Sequence, residues 1–458
     1  MKREIKLIAC FLATVAMTFT GCGTKNVKEN TYKEAKHIVL NENSATLDNK
    51  AVKEYDYSWH IDPDSEEPWY EGTEPSGEDA VYIAHDIIYY PKLNESGFSK
   101  EKYDGEDEWV FHYTKEGLTD YIFATLPAFK GSDSLPTEMM HSETEAYNNP
   151  VLYICEPGTY ILEGTWLGQI QVNLSSDSDA YTDPEAKVTI ILNGVDVTCD
   201  CGPAFLCTSA YECDNTASEC TTPTNLVDTL NAGVNVVIAD GTENNFTGAN
   251  VYRLLKAQYK KEGSTVQKKL YKYDGAFYST VSMNINGEDA GTGILNITST
   301  TFEGLDTEMH LSINGGYINI YSQDDGINVN EDDTSVFSMN GGVLHIFAGL
   351  GAEGDCVDSN GFIVVNGGTI AAGTPSGSDQ VLDSNNGLTE NGGQVIVIGA
   401  GAKSEGEFGF GMKGGPGRGF GEDRELPEGF EFPEGFDMPE GMEPPEGFER
   451  PNLPSEHN

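Results

Sequence analysis

Carboxylates recur along the C-terminal half of this chain at a spacing that could hold a cation or act as paired acid and base. Phe302-Glu303-Gly304-Leu305-Asp306 is followed by Asp324-Asp325-Gly326-Ile327-Asn328, then by Glu353-Gly354-Asp355-Cys356-Val357-Asp358, then by Ser378-Asp379-Gln380-Val381-Leu382-Asp383. One such turn per structural repeat would stack into a ridge, where like charges repel unless a cation or neutral amides stand between them. Calcium, which takes about six to eight oxygens, is the natural candidate, with Asp324, Asp325, Asp355, Asp358, Asp379 and Asp383 as its ligands. A solvated acidic edge is the plainer reading. Asn328-x-Asn330-x-Asp332 begins like an EF-hand loop, but Asp333 stands where that loop needs Gly.

The same carboxylates raise the question of glycan cleavage. A hydrolase needs two of them, one acting as general acid. A lyase needs a basic residue to take the proton alpha to a carboxylate, yet no Lys or Arg lies between Tyr273 and Ala402. The Gly-His-Gly and Arg-x-Lys elements that accompany the carboxylates of polygalacturonase-type enzymes are absent, and His310 and His345 sit in strand-like runs without such context. No catalytic residue is assigned, and a lyase or glycoside hydrolase is the least favoured function. Sugar binding without catalysis needs an aromatic platform flanked by polar side chains. Trp166 with Gln169, and Tyr317 and Tyr321 beside Asn319, offer that pairing. Trp166 has a competing role as a core residue of the first coil.

These residues must be placed by a repeat. Asn-Gly-Gly occurs at Asn314, Asn340, Asn366 and Asn391, spaced by 26, 26 and 25 residues, and a shorter Asn-Gly at Asn286 lies 28 residues before the first. Alternating apolar runs flank each copy, such as Tyr317-Ile318-Asn319-Ile320 and Val343-Leu344-His345-Ile346. A fixed period of this length marks a stacked-repeat architecture. Asn and Gly accept positive φ and suit a sharp corner, and the same Asn in successive coils, about 4.8 Å apart, can bond its neighbours through the side-chain amide. The expectation is an all-β fold, a right-handed parallel β-helix. Ile318, Ile320, Leu344, Ile346, Ile370, Val395 and Val397 point inward, and the five asparagines form a structural turn ladder.

The ends set the address. Net charge is −47, from 74 acidic and 27 basic residues, which argues on electrostatic grounds against nucleic acid and anionic lipid as partners. Met1 to Lys6 is basic, and Leu7 to Phe19 is apolar but too short to span a bilayer. Phe19-Thr20-Gly21-Cys22 resembles the lipobox of bacterial lipoproteins. That resemblance implies a signal peptide over 1–21, cleavage before Cys22, and a lipid tether at Cys22 on the extracytoplasmic face of the cell membrane. Residues 22–54 read as a polar linker, 55–150 as a β-rich cap region, 151–402 as the β-helix, and 403–458 as a disordered Gly/Phe and Pro-Glu-Gly-Phe tail. Two insertions interrupt the coils, at about 199–232 and 249–275. The first crowds five cysteines (Cys199, Cys201, Cys207, Cys213 and Cys220), for which disulfides, a zinc site or free thiols all stay open. The second holds a basic patch, Arg253 to Lys272, readable as a short surface helix or a solvated loop.

Gly158-Thr-Tyr-Ile-Leu-Glu-Gly-Thr, Ala186-Lys-Val-Thr-Ile-Ile-Leu-Asn-Gly-Val-Asp-Val, Val237-Ile-Ala-Asp-Gly-Thr-Glu-Asn, Asp325-Gly-Ile-Asn and the repeated Ile-Asn-Gly-Gly resemble a family of exported bacterial proteins described as carbohydrate-binding domain-containing. The resemblance covers about residues 150–402. It implies a right-handed β-helix with a carbohydrate-binding role. Taken with the missing catalytic elements, the expectation is a non-catalytic module that holds polysaccharide or cell-wall glycan and requires no cofactor beyond the calcium considered above. The alternative is a structural or adhesive surface scaffold facing a protein or the wall.

Overall fold

The computed structural model describes Tyr32 and residues 34–61, 68–73, 75, 77, 79–88, 98–102, 109–113, 121–124, 141–174, 178–214, 224–249, 255–260, 267–269, 273–350, 354–375, 379–398 and 403–404. The expected signal peptide, Cys22, Cys220 and the tail beyond Ser404 lie outside them. Three walls of parallel strands stack along one axis, as the repeat predicts. Wall one runs from Gly158–Leu167 and Val188–Thr198 through Val234–Ile238, Met283–Gly287, Leu311–Ile313, Val336–Met339 and Phe362–Val365 to Gly387–Glu390. Wall two runs from Glu243–Gly248 through Ile294–Ser299, Tyr317–Tyr321, Val343–Phe347 and Thr369–Gly373 to Gln394–Val397. Wall three includes Gln169–Asn173, Phe205–Ser209, Gly275–Ser279, Glu303–Thr307, Ile327–Val329, Val357–Ser359 and Leu382–Ser384. Alternate side chains of each wall fill one core. Ile318, Ile320, Leu344 and Ile370 are fully buried, whereas Val395 and Val397 are half-buried because they belong to the last described coil.

The corner between walls one and two carries the ladder. Asn314 Nδ2 donates to Asn286 Oδ1 (2.9 Å), and Asn340, Asn366 and Asn391 each donate to the asparagine before at 2.8 Å. The last Gly of each full copy takes the left-handed turn: φ is +88° at Gly316, +81° at Gly342, +72° at Gly368 and +74° at Gly393. Stacking adds a second constraint, since a Cβ on Gly342 would lie 2.6 Å from Gly316 O. Earlier coils turn the corner with variants. Asn193 Nδ2 donates to Glu163 Oε2, and the wholly buried Asn244 accepts from Gly194 N and Val195 N while donating to Thr242 Oγ1 and Ile294 O.

Two boundaries differ from expectation. The solenoid starts within the supposed linker. Lys36–Glu42 pairs in parallel with Gly158–Leu167, then folds back through Ser44–Leu47 and Lys50–Ala51 as antiparallel hairpins that cover the first coil. Wall three likewise begins at Lys53–Tyr55 and Val81–Ala84, the latter antiparallel to Val151–Ile154. Polar composition hid these strands because only alternate residues, such as Ile38 and Leu40, are buried. In the second insertion, Leu255–Lys260 and Gln267–Lys269 pair as an antiparallel hairpin, neither a helix nor a plain loop. Among the described residues no helix is long and apolar enough to cross a membrane.

Gly342→Ala is expected to combine left-handed strain with a backbone clash and to cost about 1–3 kcal/mol. Thermal unfolding followed by circular dichroism should show a melting temperature several degrees lower, and an unchanged value would refute the tight-corner account.

Candidate functional site

The first insertion returns across the outside of wall one as an extended strap. Along residues 224–230 burial alternates: Asn225, Val227 and Thr229 face the wall, and Leu226, Asp228 and Leu230 face outward. Leu226 and Leu230 are 84% and 85% exposed. Thr229 Oγ1 bonds Ser312 Oγ at 2.8 Å and Thr229 O accepts from Asn284 Nδ2 at 2.7 Å, while Asn225 Nδ2 reaches Thr389 Oγ1 at 3.0 Å. Ser312, Ser338, Val364 and Thr389 are successive register partners on wall one. Three coil spacings of about 4.8 Å make about 14 Å, the reach of four extended residues. The strap therefore runs taut along the solenoid axis, perpendicular to the strands it crosses.

Between the strap and the asparagine corner lies a groove of about 400 Å³. The strap forms one side and the ladder from Asn286 to Asn391 the other, with Asn284, Ser312, Ser338 and Val364 on wall one between them. Its lining is mainly amide and hydroxyl, with Leu226, Val227, Leu230 and Val364 the apolar members and Asp228 the single ionisable side chain among the lining residues. Asn314, Asn340 and Asn366 each spend one N–H and one acceptor position on their ladder neighbours, while Asn286 donates instead to Val236 O. By the donor inventory of a primary amide, a second N–H and a second lone pair remain on each rung. Asn284 is 4% exposed, and its Oδ1 is buried without a hydrogen-bond partner, a deficit of about 1–3 kcal/mol for a buried acceptor. The ladder was legible in the sequence as scaffold. Its use as one bank of a groove was not, because the other bank is supplied from some 60 to 160 residues away in the chain (Asn225 and Thr229 against Asn286 and Asn391).

The expected sugar platforms divide. Trp166 is fully buried, donating Nε1–H to Gln169 O, and the buried Gln169 donates to Pro203 O. This pair belongs to the core and presents nothing to a sugar, because the first coil needs a large side chain to fill its interior. Tyr321 is also covered, packed with Phe347 and Leu350. Tyr317 stays 44% exposed beside Asn319, whose amide joins a second column on wall two with Asn245, Asn296 and His345.

The acidic turns do stack. Asp306, Asn328, Asp358 and Asp383 are register partners on wall three, and Asp325 Oδ1 accepts from Asp355 N as Asp355 Oδ1 accepts from Gln380 N. Burial, reinforced by Asp324, Glu303 and Asp358, holds Asp325 well above the usual carboxylate range. Burial and then Asp383, Asp358 and Asp379 push Asp355 up to about 7, against a lowering hydrogen bond from Gln380 N, and burial with Asp383 raises Asp358 to about 6. Among the described residues, however, no three His, Cys, Asp or Glu side chains converge to hold a metal. The aspartates thus form a stacked acidic row in which Asp325, Asp355 and Asp358 are held above the usual carboxylate range. His310, in strand-like sequence, is buried and locked, accepting from Val336 N at Nδ1 and facing Asp214 through Nε2. The six described cysteines outside the leader carry free thiols, and burial pushes Cys199 and Cys207 up to about 12. They behave as small apolar residues, so of the three readings left open for Cys199, Cys201, Cys207 and Cys213 the structure has the free thiols.

A parallel β-helix with a neutral polar groove is an architecture suited to holding a polymer along its axis. A sequence model for carbohydrate-binding domain-containing proteins matches residues 148–415, more than half of the chain. The chain belongs to the carbohydrate-binding domain-containing protein family. Comparison with curated proteins gives no match. Among solved structures, a polysaccharide lyase-like protein from C. thermocellum is 21% identical, covering 62% of this chain and 94% of its own, with a TM-score of 0.35. A likeness of that size carries no argument about this chain's chemistry.

The carboxylates give a pH signature. Asp355 and Asp358 have native pKa values raised above the unfolded value of 3.8, so the native state binds more protons between about pH 4 and 7 and loses stability as pH rises through that window. The Asp355→Asn/Asp358→Asn double variant should melt higher than the parent at pH 8, with the difference shrinking toward pH 5. A variant that melts lower at pH 8 would contradict this.

Proposed function

We propose that this is an exported, lipid-anchored protein that binds polysaccharide at the outer surface of its solenoid without cleaving it. Membership of a carbohydrate-binding family supports the ligand class. The observation that carries the reading is the groove, a row of amides and hydroxyls suited to sugar hydroxyls. The non-catalytic reading rests on the same lining. It offers one carboxylate, Asp228, where a two-carboxylate mechanism needs a pair, and no Lys or Arg for proton abstraction. Calcium's role in this reading is to relieve the repulsion on wall three, away from the groove corner. The lipid anchor rests on the sequence around Cys22.

On an array of soluble plant and microbial polysaccharides, the full chain is expected to bind at least one class with chelator as well as with calcium. Prolonged incubation should release no new reducing ends or unsaturated products. Turnover would overturn the non-catalytic reading, and binding abolished by chelator would move the site to the acidic wall. In cells fed radiolabelled palmitate, label is expected on the parent and lost from Cys22→Ala. Equal label on both would remove the anchor.

A further inference from the structure

We propose that the groove selects a linear, uncharged glycan and holds it parallel to the solenoid axis, between the strap and the asparagine ladder. This rests on the carbohydrate-binding reading and specifies its ligand. Three independent features converge.

The first is repetition. The ladder presents the same amide at each coil, each donating to the one before at 2.8–2.9 Å. Every rung therefore has the same orientation and offers the same remaining donor and acceptor. A polymer of identical units, each with hydroxyls that donate and accept, matches a row of identical sites about 4.8 Å apart. A branched or globular ligand would not. From Asn235 to the coil of Asn391 the groove crosses five coil spacings, about 24 Å, which sets a footprint of about four or five sugar units.

The second is charge. No Lys or Arg lines the groove to meet a uronate or sulfate, Asp228 stands on its rim, and the whole chain carries −47. A polyanion would lose its hydration and counterions without compensation. A neutral chain does not.

The third is an unmet acceptor. Asn284 lines the groove, is nine-tenths buried and spends Nδ2 on Thr229 O and Asn235 Oδ1, while its Oδ1 lies just beneath the groove surface with no donor. Buried acceptors are normally satisfied, and a sugar hydroxyl lying against the strap supplies the missing donor. The strap then acts as a side rail: its bonds at Thr229 and Asn225 fix both ends and hold the channel's width between them.

The test is calorimetric titration of the full chain with cello-oligosaccharides of increasing length, soluble glucomannan and polygalacturonate. Affinity for at least one neutral series should rise with length and level off near four or five units, with polygalacturonate unbound. Asn340→Ala/Asn366→Ala should weaken binding about tenfold or more. Because that variant also removes ladder bonds, Asn225→Ala, which loosens the strap and leaves the ladder whole, serves as the second variant and should also weaken binding. Asn340→Lys should gain binding to polygalacturonate, a gain that misfolding cannot produce. Neutral glycan bound equally by parent, ladder and strap variants would overturn the groove assignment while leaving the carbohydrate-binding function standing, as would tight binding of polygalacturonate by the parent. Failure of every glycan on both the titration and the array would overturn the function itself and this inference with it.

Discussion

Every coil of this solenoid must turn the corner between walls one and two directly above the coil before it, within about 4.8 Å. That spacing admits no Cβ at the last glycine of the turn, since one on Gly342 would lie 2.6 Å from Gly316 O, and it leaves a polar side chain beside its own copy. Asparagine resolves both problems. Its amide donates downward and accepts from above, so the corner becomes a continuous chain of hydrogen bonds at the surface. The inward alternation of the walls, the register of all three sheets and the straightness of the groove bank follow from this corner repeating without slip.

The scaffold and the groove share these atoms. An amide used as a structural rung keeps half its hydrogen-bonding capacity, so a row of rungs also forms a row of binding positions. No residue of the groove needs to be placed by a special loop except on the far bank, where the strap crosses the strands at right angles. The acidic wall shows the opposite use of stacking. Burial, reinforced by the neighbouring carboxylates, pushes Asp325, Asp355 and Asp358 toward the protonated form, with Asn328 as the neutral spacer in the row.

The repeat was readable in the sequence because Asn-Gly-Gly at a period of 26 or 25 residues is a one-dimensional record of a stacked corner. The inward residues followed from it, down to Ile370. What local pattern could not reveal is contact between distant segments. Lys36–Glu42 looks like polar linker until Gly158–Leu167 lies beside it, and residues 224–230 look like the remainder of a cysteine-rich insertion until they reach Ser312 and Thr389. The strap's residues, Asn225-Leu226-Val227-Asp228-Thr229-Leu230, do not alternate polar with apolar, so the sequence carried no strand signal there; the alternation lies in their burial against the wall. Trp166 and Tyr321 failed as sugar platforms for a related reason: an aromatic next to amides reads the same whether it faces solvent or the core. Burial decides, and burial here is set by neighbours one coil away.

The most direct measurement is a crystal structure of the protein grown with a neutral oligosaccharide that binds it. The account predicts sugar rings laid along the axis between the strap and the ladder, with hydroxyls within hydrogen-bond distance of Asn314, Asn340 and Asn366 and one donating to Asn284 Oδ1. Ordered sugar on wall two against Tyr317, with the groove unchanged, would contradict it.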